Sequence, residues 1–324
     1  MNRFALLIVL AAAAAVKLPA ACPNNLNVGY QVVTFGSLTA SIWYPTTSPG
    51  APYAYSPEIT GSVSLNAAPA ECGRVPLVVF SHGYGGCATQ SVFITEQLAR
   101  DGYIVAAPNH ADAGCTKTPP PPQEPFGQPA LWSDQTYIDR RNDIENVIDS
   151  LEKSAAFGTV VDTTRVAGMG HSLGGYTIMA MVGGWPTWTD PRIKSALLLS
   201  PYVQPFQAKD TVGGVGVPVM YQGGTLDIGI TPFVADPGGA YDKTPGTKFF
   251  AELQAAGHLV WTNLTCAQAG TVAACLRTVP NAVLIDSYGF AFLDYFVEQH
   301  PSPILWGSGA GLADYRHTPP PSVH

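Results

Sequence analysis

The chain has 324 residues, 46% of them apolar and 12% charged, so it can bury a substantial core with about half the usual density of charge. Its formal net charge is −7, which argues against the basic surface that nucleic acid or an anionic membrane requires.

Residues 1–21 read as a signal peptide: Arg3 supplies the charged start, Phe4–Val16 the apolar core and Ala20-Ala21 the small residues before cleavage. The apolar run is short for a bilayer, so the expectation is a secreted or periplasmic protein with no transmembrane segment. Cys22 follows Pro19-Ala20-Ala21 and would allow lipid anchoring, but Pro19 stands where a lipoprotein signal has leucine. Cleavage deletes Arg3 and Lys17 and leaves 14 basic against 23 acidic residues, a net charge of −9. Cys22, Cys72, Cys87, Cys115, Cys266 and Cys275 form an even set in an exported chain. Up to three disulfides are therefore expected, with Cys266–Cys275 the easiest local pair. Neither Cys-x-x-Cys nor a histidine cluster gives metal-ligand spacing, and no metal or cofactor is expected.

Asn27–Thr34 and Leu38–Tyr44 alternate as the two arms of a hairpin turning at Phe35-Gly36-Ser37. Residues 46–72, rich in Pro, Ser, Thr, Gly and Ala, read as a surface loop. Val75–Phe80 is a continuous apolar run, the mark of a strand buried on both faces, and it ends in Ser81-His82-Gly83-Tyr84-Gly85-Gly86-Cys87. A helix over Val92–Arg100, a strand over Tyr103–Ala107, a second loop over 108–130 with Pro119–Pro122, and a helix over Asp139–Lys153 follow. Further strands are expected at Ile193–Leu199, Val217–Gln222 and Lys248–Leu253, then a helix over Ala282–Glu298 and a tail fraying from about residue 315. Strands alternating with helices imply a doubly wound, mostly parallel α/β sheet of about eight strands in one domain over 22–324.

The informative stretch is Arg165 to Gly175, where an apolar run passes through Gly170-His171-Ser172-Leu173-Gly174 into a helical Tyr176–Val182. A G-x-S-x-G between strand and helix is a nucleophile elbow. It holds the serine in a strained turn, and glycine is required where a side chain would strike neighbouring backbone. Loops after other strands carry His82, Asp227 and His258, and sites on such sheets lie at the carboxyl ends of strands. The order Ser172, Asp227, His258 suits a triad in which the imidazole takes the serine proton and the carboxylate orients the imidazole. The backbone amides of Tyr84 and Leu173 are the expected oxyanion donors.

Rivals exist for each role. His110 also follows a strand and could be the base, and Asp236 and Asp242 compete with Asp227. Ser81 and Ser200 end strands but lack flanking glycines. His82 and His171 are expected to position backbone within their motifs. Tyr84, His171, Tyr202 and Trp261 are the candidate substrate-binding residues.

Ile42-Trp43-Tyr44-Pro45, Ser81-His82-Gly83, Ala106-Ala107-Pro108-Asn109-His110, Gly170–Gly175 and Ala256-Gly257-His258 resemble the α/β-hydrolase superfamily. The match is to its dienelactone hydrolase and platelet-activating-factor acetylhydrolase-like branch, near the bacterial polyester (cutinase-like) hydrolases. The resemblance implies an α/β-hydrolase fold and assigns nucleophile, acid and base to Ser172, Asp227 and His258. Dienelactone hydrolases use cysteine where this chain has Ser172. A small-molecule or polymeric ester is then the expected substrate, short-chain, lipid-like or polyester. A peptidase or thioesterase could use the same triad, and a binding protein on this fold is the remaining alternative.

Overall fold

The computed structural model describes residues 26–115 and 117–318. The signal segment, Cys22 and the prolines at 319–321 lie outside the described residues. Eleven strands run in chain order as β1 (Asn27–Phe35), β2 (Leu38–Thr46), β3 (Ala51–Ser56), β4 (Ile59–Leu65), β5 (Val75–Ser81), β6 (Ile104–Pro108), β7 (Val161–His171), β8 (Ile193–Leu199), β9 (Val219–Gly224), β10 (Lys248–Leu253) and β11 (Leu312–His317). They form one sheet ordered β11-β10-β9-β8-β7-β5-β6-β2-β1-β4-β3. From β6 through β10 every neighbouring pair is parallel. The first hairpin joins this block through the antiparallel β2–β6 pair.

Alternation along the central strands divides the core. Leu77 and Val79 face one layer, with Ile144, Val147 and Leu151 of helix α2 (Ile138–Lys153) and Tyr176 and Ile178 of helix α3 (Leu173–Met179). Val78 and Phe80 face the other, with Val92, Phe93 and Leu98 of helix α1 (Val92–Arg100) and Ile285 and Phe292 of the Pro280–Leu293 helix. This is the period-two signature of strands covered on both faces, and it explains why the runs read as unbroken apolar stretches.

Two expectations need correction. The segment 46–72 is not all loop, because β3 and β4 pair antiparallel within it and β4 runs parallel to β1. The composition misled because edge strands tolerate proline, here Pro52, and because the stabilising face is aromatic rather than aliphatic. Tyr53 and Tyr55 pack against Tyr30 and against each other, and Tyr55 also lies against Trp43. The tail is paired as far as His317, since β11 lies antiparallel on β10 and Arg316 donates to the Ala235 carbonyl. These additions take the sheet from the expected eight or so strands to eleven. Cys266–Cys275 is a disulfide, and Cys72 is also disulfide-bonded.

Tyr55 fastens the edge hairpin to the body: its hydroxyl accepts from Trp43 Nε1 at 2.9 Å and donates to the buried Glu96 carboxylate at 3.1 Å. Tyr55→Phe leaves both partners short of a bond and should lower unfolding free energy by about 1–3 kcal/mol. Urea denaturation checks this, and unchanged stability would mean that the hairpin does not dock as described.

Candidate active site

Register brings the strand ends into one row. Ser81 at the end of β5 pairs with Gly170, and Leu199 at the end of β8 pairs with His171 and with Gln222 of β9. Ser172, one residue past β7, sits at φ 54° and ψ −116°. The strain is held by backbone: the Ser172 amide donates to the Leu199 carbonyl, and the Ser172 carbonyl accepts from Tyr176 and Tyr202, each at 3.0 Å. A Cβ on Gly170 would lie 2.2 Å from the Gly174 oxygen, and one on Gly174 would lie 1.8 Å from the Ser81 oxygen. Both glycines of the motif are therefore steric necessities.

Ser172 Oγ lies 2.9 Å from His258 Nε2, and His258 Nδ1 lies 2.9 Å from Asp227 Oδ2. Asp227 is buried, at 4% side-chain exposure, while His258 keeps 33%. The three residues that sequence order puts together are thus together in space, one hydrogen bond apart. Because Nδ1 faces a carboxylate, its proton stays there and Nε2 is left as the acceptor for the serine hydroxyl.

Ser200, a rival nucleophile by its place at a strand end, stands instead beside Asp227 and His258. Its hydroxyl donates to Asp227 Oδ2, and its oxygen lies 2.8 Å from His258 Nδ1. The residue takes φ 45° just beyond β8, where the turn aims the side chain across at the next strand end.

His110 is not placed to act as the base. It is 2% exposed, its Nε2 lies 2.9 Å from Ser81 Oγ and its Nδ1 lies 2.8 Å from Asp143 Oδ2. Ser81, His110 and Asp143 mimic a triad, but Ser81 and His110 are buried behind the cleft, and only Asp143 keeps 22% side-chain exposure. His82 is buried beside them: its Nδ1 donates to the Gly83 carbonyl at 2.7 Å and its Nε2 accepts from the His110 amide at 3.1 Å. Burial, then the nearby Arg140 guanidinium, hold both imidazoles well below the ordinary histidine value. Burial pushes Asp143 up to about 7.

Arg140 belongs to no sequence motif, yet it anchors the floor of the site. It is wholly buried, binds Asp112 through Nε and Nη2 at 3.1 and 2.7 Å, and donates to the His82 carbonyl at 2.7 Å. Burial works against the Asp112 charge, but Arg140 outweighs it and holds that carboxyl below its usual range. A signal was present: Arg140 lies four, seven, eight and eleven residues before Ile144, Val147, Ile148 and Leu151, on the buried stripe of α2.

A cleft of about 750 Å³ opens over Ser172, lined by Tyr84, Phe126, His171, Tyr202, Ile230 and Leu259 among others. Tyr84, His171 and Tyr202 are therefore where a ligand could touch them. Trp261 is not. It is wholly buried, stacks beneath His171 and donates to Gln222 Oε1 at 3.0 Å. The single turn from His258 to Trp261 points Leu259 to the cleft and carries Trp261 round into the core. Phe126, from the 108–130 loop, closes one wall by packing edge-on against Tyr84 and Tyr202. The Leu173 amide opens α3, where helical geometry supplies no carbonyl for it. Among the described residues, no group of His, Cys, Asp or Glu could hold a metal ion.

Arg140→Met would strand the Asp112 carboxylate in the core, an arrangement that costs about 3–5 kcal/mol. Denaturation should show a loss of that size, partly restored by adding Asp112→Asn; a stable single variant would mean that the pair bears no weight.

A structural neighbour is a ferulic acid esterase from Streptomyces cinnamoneus, which matches with a TM-score of 0.65 over 95% of this chain and 98% of that one, at 20% sequence identity. At that identity the likeness shows the fold. A model of the alpha/beta hydrolase family matches residues 78–323, a span that holds the elbow, the Asp227 and His258 loops and the Tyr84 loop, and the chain belongs to that family.

Proposed function

We propose that this chain is an exported serine ester hydrolase of the carboxylesterase type, working through an acyl-enzyme. The observation that carries the reading is the two-sided seat of His258, 2.9 Å from Ser172 Oγ on one nitrogen and 2.9 Å from Asp227 on the other.

A serine hydroxyl attacks poorly unless its proton leaves as the bond to carbon forms. His258 Nε2 takes that proton while Ser172 Oγ adds to the ester carbonyl. Asp227, steadied by the Ser200 hydroxyl, stabilises the imidazolium so formed. The Tyr84 and Leu173 amides receive the oxyanion, a service worth about 10²–10³ in rate per donor. His258 then protonates the departing alkoxide, water enters, and the same proton transfers in reverse release the acid.

The cleft fits within the range of small-ligand sites and has an apolar wall. Leu259 and Leu264 stand at its edge with 54% and 60% exposure, which supports short-chain, lipid-like or polyester substrates over charged ones. The esterase neighbour adds aromatic acyl esters to the set worth testing.

Ser172→Ala should reduce p-nitrophenyl ester hydrolysis by at least about 10⁴-fold, and Asp227→Asn by about 10⁴-fold in kcat. Wild-type rates in a folded Ser172→Ala protein would remove the nucleophile assignment. A panel of p-nitrophenyl esters, a feruloyl ester, an acetyl phospholipid, a polyester film and a matching amide should show ester turnover above amide turnover. Faster amide cleavage would favour a peptidase instead.

A further inference from the structure

Gln90 precedes α1, far from the elbow in sequence, yet it joins three loops of the site. Its Oε1 accepts from the Gly83 amide at 2.9 Å, and its Nε2 lies 3.0 Å from His171 Nδ1 and 3.4 Å from Ser91 Oγ. The far nitrogen of the same imidazole, Nε2, lies 2.9 Å from the His258 carbonyl. Both ends of this chain are backbone, so its polarity has one solution. The Gly83 N–H can only donate, and the His258 C=O can only accept. His171 must therefore carry its proton on Nε2 and accept at Nδ1 from the Gln90 amide, whose oxygen then faces Gly83.

Three further observations show the arrangement is built. A Cβ on Gly86 would lie 2.2 Å from Gln90 Oε1, so the loop is bare where the carboxamide passes. The Gln90 carbonyl accepts from the Asn263 amide at 2.7 Å, and Asn263 in turn receives the Val92 amide and donates to the Thr89 carbonyl. Burial, then the neighbouring His258, push His171 down to about 3, so it stays neutral beside a base that must itself charge.

We propose that Gln90 is a positioning residue which, through neutral His171, locks the loop bearing the Tyr84 amide to the loop bearing His258. Fixing the Gly83 N–H on Gln90 sets the peptide that leads into Tyr84, and fixing the His258 carbonyl sets the backbone from which the base projects. One carboxamide thus holds the distance between the oxyanion donor and the base. Ser172 and His258 alone do not set that distance, because each sits on its own loop. His171 gains a role by the same route: the residue before the nucleophile serves as a spacer with a fixed tautomer.

The inference rests on the serine-hydrolase reading, and its test separates the two. Nitrogen NMR of the wild-type protein should show the His171 proton on Nε2 with Nδ1 as acceptor. A proton on Nδ1 would overturn the relay whatever the protein hydrolyses. Gln90→Glu keeps an acceptor for Gly83 but sets a carboxylate against Nδ1, so His171 should become doubly protonated near neutral pH. An unaltered His171 spectrum in that variant overturns the relay. Gln90→Glu and Gln90→Ala should each lower kcat by between about tenfold and a hundredfold, with KM within about twofold of wild type. Folded variants with unchanged kcat, or with KM rising in step with any loss, would reduce Gln90 to ordinary packing. Should Ser172→Ala retain activity, the hydrolase reading falls while the imidazole spectrum still decides the relay.

Discussion

Between the α-carbon of Gly174 and the carbonyl oxygen of Ser81 there is no room for a methyl group, since the added carbon would lie 1.8 Å from that oxygen. This contact sets the start of α3 directly on the end of β5. The elbow and the loop that follows β5 therefore cannot move apart independently. Ser172 pays for its place with a positive φ, a conformation that costs of order 1–3 kcal/mol and persists only where its surroundings over-determine it. Here they do so through the Leu199 carbonyl and the Tyr176 and Tyr202 amides.

Around that contact the chain sorts its histidines by solvation. His82, His110 and His171 are buried, with every ring nitrogen facing a partner. Burial holds them neutral, so they work as rigid hydrogen-bonding spacers between backbone segments. His258 alone of the four keeps a third of its side chain in solvent. Among the described residues Arg140 is the one fully buried Lys or Arg, and it is bound to Asp112 and to the carbonyls beneath the Tyr84 loop. The Arg140 charge is thus sealed into the frame, while the cleft sets an apolar wall of Phe126, Ile230 and Leu259 alongside Ser172, Asp227 and His258.

Much of this was legible in the residues. The central strands announced themselves as apolar runs because both faces are covered, and the elbow did so because its glycines have no substitute. The grouping of Ser172, Asp227 and His258, one hydrogen bond apart, was expected because strand ends carry them in that order. What was not legible depends on contacts between distant segments. The β3–β4 hairpin is held by tyrosines on tyrosines, a pattern that composition hides behind Pro and Ser. Trp261 neighbours His258 in sequence, but one tight turn carries its side chain away from the cleft into the core. Gln90 carries no motif, and only the tertiary approach of Gly83 and His171 gives its side chain a role. Arg140 was readable in principle, as a cation on an otherwise apolar helical stripe.

The most direct test of the mechanism is covalent. The purified chain, treated with a fluorophosphonate and digested, should yield one modified peptide containing Ser172, and the label should be lost when His258 is replaced by Gln. A label on Ser81 or Ser200, or labelling that persists without the imidazole, would contradict the assignment of Ser172 as a nucleophile activated by His258.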